Sequence, residues 1–220
     1  MKKKVLYVIL SILLLGVLTG CNNTKFKKEY EDLNGKENKN GKVHRTITID
    51  EDNPFVYSSA ENIVKMIEAK KTFYVYFGDP LCPWCRSVLE KFIEVAKKNN
   101  VDKVYYVKIW DDEGNEVLRT KYQVIDDNVV EHIFEGTESY HKLLEYFDNV
   151  LTDYTLTDKD GKTVGVGEKR IYAPNFIYVE NGQAVKLVEG ISSLQTDSRQ
   201  ELSEEMLTEE ETIFNEFFEK

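Results

Sequence analysis

The sequence has few of the residues that build disulfide-rich or zinc-binding domains. Its 220 residues include three cysteines and three histidines. Cys82 and Cys85 form one closely spaced pair, which excludes the set of structural disulfides that a small extracellular domain can carry. Two cysteines alone do not make a tetrahedral zinc site, and no histidine follows them at ligand spacing. We therefore predict that the chain binds no metal.

An excess of basic residues is also missing, as is an apolar run long enough to span a membrane. Acidic residues outnumber basic residues by 39 to 29, which gives a formal net charge of −10. An acidic chain without a basic stripe is a poor binder of nucleic acid, so we predict no such partner. The long apolar run at residues 5–18 has about 14 residues, whereas a transmembrane helix needs ~20.

This apolar run fits the central region of a secretory signal peptide. Lysines precede it at positions 2–4, and Leu18-Thr19-Gly20-Cys21 follows it. These four residues resemble the lipobox of bacterial lipoproteins, in which a signal peptidase cuts before the cysteine and the cysteine carries the lipid. The resemblance implies that residues 1–20 are removed and that Cys21 is lipidated at the outer face of the cytoplasmic membrane, in the cell envelope. An uncleaved membrane anchor is the alternative, and it places the chain on the same side.

The segment that follows has the composition of a linker. Residues 22–42 are rich in lysine, asparagine, glutamate and glycine and have few apolar positions. Because such a segment buries little apolar surface, we predict a flexible tether over residues 21–42 and a globular domain over residues 43–220. A flexible chain of ~20 residues spans roughly 25 Å, enough to lift a domain clear of the lipid headgroups. Loss of the three lysines in residues 1–20, which contain no acidic residue, changes the formal charge to −13.

The cysteine pair stands where an apolar strand turns into an amphipathic helix. The aromatic and β-branched run 74–77 predicts a buried strand, and Gly78-Asp79-Pro80 predicts a turn. The apolar face of the helix comprises Val88, Leu89, Phe92, Ile93 and Ala96.

The start of this helix makes the two cysteines chemically different. With Cys82 as the N-cap, Pro83 occupies the first helical position, and the N–H groups of Trp84 and Cys85 can point at the Cys82 sulfur. Such a setting lowers a cysteine pKa from ~8.5 into roughly the 3.5–7.5 range. We therefore predict that Cys82 is the nucleophile and that Cys85, deeper in the helix, resolves the mixed disulfide. A purely structural disulfide is the alternative, but a bridge that closes so short a loop removes little chain entropy.

The pattern of strand, CxxC motif, helix and second strand, Val104 to Trp110, resembles the first half of the thioredoxin fold. Cys82-Pro83-Trp84-Cys85 is similar to the redox motifs of that superfamily. A second landmark, Ala173-Pro174, leads an apolar strand and a hairpin whose turn is Asn181-Gly182. The resemblance implies an α/β thioredoxin-like fold, with a central mixed sheet flanked by helices. It also implies a cis Pro174 that faces the redox pair.

The resemblance further implies where a substrate binds. The backbone before the cis proline, at Ala173, pairs with a bound substrate, and Trp84 is expected to shield the cysteines and to offer an apolar contact. Many thioredoxins carry a buried carboxylate at the position of Tyr76, so the proton of Cys85 needs another carrier. Asp79 is the candidate, although an aspartate in a Gly-Asp-Pro turn is also explained by turn chemistry. Lys108 on the adjacent strand is a weaker candidate.

The remaining elements are predicted from periodicity and capping signals. Residues 43–49 predict a half-buried strand, Ser58 with Glu61 predicts the start of a helix, and Thr208 with Glu211 predicts the start of the last helix. The first helix buries a stripe of Ala60, Ile63, Val64 and Ile67, and the last buries Ile213, Phe214, Phe217 and Phe218.

Residues 111–170 depart from the minimal thioredoxin pattern. Residues 111–135 give no clear prediction, Tyr140 to Leu151 predicts an amphipathic helix, and the turn at 158–162 predicts a hairpin. Insertions at this point in the superfamily form caps beside the cysteines and shape substrate choice. A packing elaboration with no contact to substrate is the alternative.

Together these features predict an extracytoplasmic, membrane-anchored thiol-disulfide oxidoreductase. It exchanges disulfides with secreted or surface proteins through Cys82 and Cys85, with no cofactor beyond their disulfide. Its expected partners are protein thiols and disulfides outside the cytoplasm, with a membrane redox partner as a further candidate, and we expect a monomer. A narrower variant resembles the thioredoxin-like accessory proteins that assist disulfide formation in secreted bacteriocins. The alternative is a non-enzymatic lipoprotein of the same fold that binds a partner through its insertion.

Overall fold

The computed structural model describes residues 23–126 and 129–219, so the predicted signal peptide and Cys21 lie outside the described residues. The described chain is an α/β structure in which a mixed sheet of five strands is flanked by helices. Two further hairpins, each a separate two-stranded sheet, complete it. The helices are α1 (residues 23–31), α2 (Ala60–Glu68), α3 (Pro83–Lys98), α4 (Glu138–Phe147) and α5 (Glu204–Phe218). The strands are β1 (Phe55–Tyr57), β2 (Phe73–Gly78), β3 (Val104–Lys108), β4 (Lys121–Asp126), β5 (Val129–Phe134), β6 (Thr152–Thr157), β7 (Thr163–Arg170), β8 (Asn175–Glu180) and β9 (Gln183–Val188).

The central sheet is organised around β2. Its strand order is β1-β3-β2-β8-β9, in which β1, β3 and β2 run parallel and β8 and β9 pair in antiparallel fashion. Successive side chains of a strand point to opposite faces, so β2 contributes to two cores. Tyr76 packs in the core that also holds residues of α1, α3 and α5, whereas Val75 and Phe77 pack in the core under α2 and α4.

The helix after the cysteines has the predicted apolar face. The five residues assigned to that face are all buried against the sheet. The hairpin of β8 and β9 also forms as predicted, because Asn181 and Gly182 both adopt the positive φ that a two-residue type I′ turn requires.

The expectation of a flexible tether over residues 21–42 is wrong for the described part of that segment. Residues 23–31 form α1, and Phe26 and Tyr30 on it have no exposed surface. The ring of Phe26 stacks on Phe55 with centroids 4.2 Å apart and meets Tyr106 edge-on at 5.0 Å. The segment has few apolar residues, but two large aromatic rings four positions apart lie on one face of a helix and reach the core together.

The predicted strand over residues 43–49 is also wrong. This segment is extended, but it forms only a single bridge, between Glu37 and Val43. The His44 N–H bonds to the Lys36 carbonyl oxygen, and further along the segment the N–H groups bond to side chains: Ile47 N–H to Asn34 Oδ1 at 3.0 Å and Ile49 N–H to Glu31 Oε1 at 2.8 Å. The first strand of the sheet is β1, which the sequence reading did not identify.

Two predicted helix starts shift. The buried face of α2 is as predicted, whereas in α5 the residues Phe214, Phe217 and Phe218 are buried and Ile213 is only half-buried. The N-cap of α2 is Ser59, whose hydroxyl accepts from the Asn62 N–H, and not Ser58. The last helix begins at Glu204 with Ser203 as its N-cap, one turn before Thr208. The Thr208 hydroxyl instead donates to the Glu204 carbonyl at 2.8 Å, so it lies inside the helix.

The region at 111–170 consists of two hairpins and α4. The first hairpin, β4 with β5, lies in the stretch that gave no clear prediction. The predicted helix corresponds to α4, and the predicted hairpin to β6 with β7. Within the described residues, no helix combines the length and the apolar character needed to cross a membrane.

Candidate redox site

Cys82 and Cys85 lie at the junction between β2 and α3. Cys82 is the N-cap of α3, and its sulfur accepts a hydrogen bond from the Cys85 N–H at 3.2 Å. Pro83 stands in the first helical turn, where its missing N–H costs nothing. The N-cap at Cys82 and the position of Pro83 are as predicted, and of the two N–H groups expected at the sulfur, those of Trp84 and Cys85, the described chain shows the bond from Cys85. This geometry places the positive end of the helix dipole at the Cys82 sulfur.

The Ala173–Pro174 peptide bond lies directly beside this sulfur. The bond is cis, as the resemblance implied. The register that pairs Phe77 of β2 with Asn175 of β8 brings the start of β8 to the end of β2. The Cys82 thiol donates a hydrogen bond to the Ala173 carbonyl oxygen at 3.3 Å. The structure therefore brings together the cysteine and the proline, although 91 residues separate Cys82 from Ala173 in sequence.

The two cysteines differ in exposure. Cys82 keeps 4% of its surface exposed, whereas Cys85 has none. Trp84 and Ala173 are half-buried and pack against the core that contains both cysteines. Of the pair, only Cys82 is in contact with solvent.

Both cysteines are free thiols, and burial acts strongly on the second one. Burial raises the pKa of the Cys85 thiol well above its usual value, and the adjacent Cys82 raises it further. The Tyr76 side chain and the Asp79 backbone oppose this rise by hydrogen bonding to the sulfur. Cys85 therefore holds its proton until a neighbouring group can accept it.

Asp79 is a buried carboxyl in the short loop between β2 and the cysteines. Burial raises its pKa to about 7, against the opposing influence of the Leu81 N–H and the Lys108 charge. Oδ1 accepts from the Leu81 N–H at 2.9 Å, while Oδ2 is buried and has no hydrogen-bond partner within the described chain. Such a group can change its protonation state near neutral pH. Lys108 is half-buried and forms an ion pair with Asp112.

Two tyrosines below the cysteines form a hydrogen-bonded pair that the sequence reading missed in part. Tyr76 lies in the same buried core as Cys85, and its hydroxyl is 3.0 Å from that of Tyr30. Both side chains are fully buried, and burial raises both phenol pKa values well above the usual range. The sequence marks Tyr76 as a departure from the thioredoxin pattern. It gives no comparable signal for Tyr30, which stands in the presumed tether.

Arg86, the residue after the cysteine motif, was also missed. It is wholly buried, and no carboxylate pairs with it in the part of the chain that the structure describes. Its guanidinium donates to carbonyl oxygens of Tyr30 at 2.8 Å, Pro80 at 3.3 Å and Arg45 at 2.6 Å, and to Asn34 Oδ1 at 2.6 Å. Arg86 therefore connects the redox loop to α1 and to the extended segment after it.

The insertion touches the redox site at two places. The loop at 111–115 approaches Leu81, because a Cβ placed on Gly114 would lie 3.1 Å from Leu81 Cδ1. On the other side, the Tyr172 hydroxyl donates to the Asp153 carbonyl oxygen at 3.0 Å. The insertion thus contacts residues adjacent in sequence to Cys82 and to Ala173.

Within residues 23–126 and 129–219, no group of three or more histidine, cysteine or acidic side chains could hold a metal ion. A search of protein-family models gives no match to this chain, and a search of curated proteins gives none either. Function is therefore inferred from the chemistry of the site itself.

Proposed function

We propose that this protein is a thiol-disulfide oxidoreductase of thioredoxin-like fold, lipid-anchored through Cys21 and acting on protein thiols and disulfides outside the cytoplasm. One observation carries the proposal: the Cys82 sulfur receives the Cys85 N–H at a helix start and lies 3.3 Å from the carbonyl oxygen of Ala173, before a cis proline. A structural disulfide needs neither feature. A mixed sheet flanked by helices is consistent with the expected fold.

In the proposed reaction the Cys82 thiolate attacks one sulfur of a substrate disulfide. The substrate S–S bond breaks, its second sulfur leaves with the electron pair and takes a proton from solvent, and a mixed disulfide forms. Cys85 then gives its proton to the Asp79 carboxylate, and its thiolate attacks the Cys82 sulfur. The mixed disulfide breaks, and the substrate sulfur leaves with the electron pair and takes a proton from solvent. The substrate is thus released as a dithiol, and Cys82 and Cys85 are joined in a disulfide. Run in reverse, the same steps transfer a disulfide to a substrate.

Ala173 supports substrate binding in this scheme. In the dithiol form its carbonyl oxygen accepts the Cys82 S–H, and that bond is lost when the sulfur ionises. The carbonyl then becomes available to a backbone N–H of an extended substrate. Trp84 and the half-buried Tyr172 provide apolar surface on either side. Substrate segments are therefore expected to bind as an added strand beside Ala173.

The test is a trap for mixed disulfides. The Cys85→Ala variant removes the resolving thiol, so Cys82 should retain its substrates in covalent complexes that a reductant releases. These complexes are recovered from cells under non-reducing conditions and identified by mass spectrometry. The Cys82→Ala, Cys85→Ala double variant is the matched control. If both variants recover the same proteins, or none, Cys82 does not perform exchange.

A second candidate function is partner binding without redox chemistry. The hairpin of β4 and β5 exposes four apolar side chains, which is unusual for a surface hairpin of a monomer. They are Ile125, Val129, Ile133 and Phe134. This function predicts that a partner still binds when both cysteines are replaced. Disulfide-containing bacteriocins among the trapped substrates would favour the narrower accessory function.

A further inference from the structure

The Tyr76 hydroxyl is held at a fixed place under the cysteine pair. Its ring stacks between Tyr106, at 5.4 Å, and Phe176, at 4.6 Å. Gly78 follows on the same face of β2, and a Cβ at that position would lie 2.0 Å from the Tyr76 hydroxyl oxygen. Glycine at 78 therefore leaves the space in which this hydroxyl lies.

Tyr30 fixes the same hydroxyl from the other side. The two hydroxyl oxygens are 3.0 Å apart, and the Tyr30 carbonyl oxygen accepts from Arg86 at 2.8 Å. Phe26, one turn earlier on α1, packs against the Tyr30 ring at 4.7 Å. Both ends of the residue are thus constrained, and its hydroxyl has a single orientation toward Tyr76.

We propose that Tyr76 is a positioning residue for Cys85, and that Tyr30 holds its hydroxyl so that it donates a hydrogen bond to the sulfur as the thiolate forms. The proposal rests on the proposed function and concerns its second step. There the Cys85 proton passes to Asp79, and the new thiolate attacks the Cys82 sulfur. The Tyr76 hydroxyl keeps its own proton throughout and does not take up the Cys85 proton. Its role is to stabilise the negative charge on the Cys85 sulfur.

The physical need for such a donor follows from burial. Cys85 has no exposed surface, so no water can solvate its thiolate. Hydrogen bonds to the charged form are the remaining way to favour ionisation, and bonds of this kind are stronger than neutral ones. The Tyr76 hydroxyl lies over Gly78 at the end of β2, in the buried core that also holds Cys85, and the Tyr76 side chain lowers the pKa of this thiol in opposition to burial. A tyrosine can thus supply stabilisation at a site where an acidic residue would add a second negative charge.

The experiment separates the two cysteines with the aromatic disulfide reagent 5,5′-dithiobis(2-nitrobenzoate). The full lipidated protein is reduced and mixed with the reagent in detergent micelles. Attack by Cys82 releases one thionitrobenzoate and leaves a mixed disulfide. Attack by Cys85 on the Cys82 sulfur releases the second. The two releases are followed by absorbance over a range of pH.

The Tyr76→Phe variant should release the first thionitrobenzoate at the wild-type rate and the second about tenfold more slowly at pH 7, because a bond to a charged group is lost. The rise of the second rate with pH should move to higher pH. Tyr30→Phe should act in the same direction but more weakly. Gly78→Ala, which keeps both hydroxyls but displaces one, should resemble Tyr76→Phe.

Tyr106→Phe is the matched control. Tyr106 is equally buried and stacks on Tyr76, but its hydroxyl has no hydrogen-bond partner among the described residues. It should leave both releases unchanged. If Tyr76→Phe behaves like wild type, or if Tyr106→Phe slows the second release equally, the positioning role is refuted while the proposed function stands. If wild-type protein releases no thionitrobenzoate at all, both are refuted.

Discussion

Cys82 and Cys85 have the same side chain and lie three positions apart, but their sulfur atoms have different surroundings. Cys82 lies before the first helical turn, where a backbone N–H reaches its sulfur and a little solvent remains. Cys85 lies inside that turn, where the helix packs on β2 and excludes water. The difference comes from the helix boundary, and so sequence reasoning could predict it. The neighbours of Cys85 are different, because Tyr76 comes from β2 and the Tyr30 hydroxyl that meets it comes from α1.

Replacing Asp79 should change the pH dependence of stability. In the folded protein its pKa is about 7, whereas an unfolded aspartate has a pKa of ~3.9. Between these values the folded state keeps a proton that the unfolded state has lost. The Asp79 proton therefore contributes to the free energy of unfolding in full below pH ~4, and this contribution is lost as the pH rises through 7. Asp79→Asn should therefore be more stable than wild type at pH 8, on the order of a few kcal/mol, and similar at pH 4.

Urea unfolding at several pH values measures this difference. The matched control is Asp111→Asn in the neighbouring loop, where hydrogen bonds from Asn115 lower the pKa of the aspartate. The ionised Asp111 carboxylate therefore stabilises the fold above the pKa of an unfolded aspartate, and this stabilisation is lost as the pH falls. Asp111→Asn should accordingly be less stable than wild type at pH 8. A wild-type protein that gains stability relative to Asp79→Asn between pH 5 and pH 8 would contradict the assignment.

At the scale of elements, periodicity predicts the helices well and the N-terminal segment poorly. The faces of α2, α3 and most of α5 follow from regular apolar spacing, and two of the three hairpins, β6 with β7 and β8 with β9, follow from their turns. The hairpin of β4 and β5 had no such signal. By contrast, α1 has only two large core residues and a polar composition. Its fold depends on partners that are remote in sequence, such as Phe55 and Arg86.

Truncation of Phe26 should show that α1 belongs to the folded domain. Phe26→Ala removes a fully buried ring, and we expect a loss of ~3–5 kcal/mol in the free energy of unfolding. Phe134→Ala is the matched control, because this ring on the β4–β5 hairpin is 37% exposed, and it should change stability by ~0.5 kcal/mol or less. Urea unfolding measures both. Equal effects would indicate that α1 does not stabilise the domain.

At the scale of the whole molecule, the redox pair and the start of α1 lie at opposite ends of helix α3. Helix α3 begins after Cys82 and, with 16 residues, is roughly 24 Å long. Asn23 lies near its far end, where it shares a pocket with Lys97 and Val101 and its carbonyl oxygen accepts from Asn53. A lipid on Cys21 would therefore attach at the end away from Cys82. The domain itself, not a tether, would hold the cysteines above the headgroups.

This arrangement predicts the orientation of the anchored protein. In a lipidated variant with serine at 82 and 85, a fluorophore on Lys103→Cys should transfer energy to headgroup acceptors in vesicles more strongly than one on Glu113→Cys. Lys103 is exposed near the far end of α3, whereas Glu113 is exposed in the loop beside Leu81. The Cys21→Ser forms serve as controls for anchoring. Equal transfer from both positions would contradict this orientation, and a lipidated Cys21 would remain compatible with that result.

The sequence by itself determined the features that depend on neighbours along the chain. The N-cap at Cys82, the buried face of α3 and the turn at Asn181-Gly182 follow from local spacing or from a short motif, and the cis bond at Pro174 was implied by the resemblance to the thioredoxin superfamily. Only the tertiary structure decided which groups surround the Cys85 sulfur. Tyr76 shares the buried core of Cys85, and the Tyr30 hydroxyl meets that of Tyr76 because α1 packs on β2 and Arg86 holds it in place. Burial and hydrogen bonding between remote segments leave no periodic signal in a sequence, so these contacts could only be read from the fold.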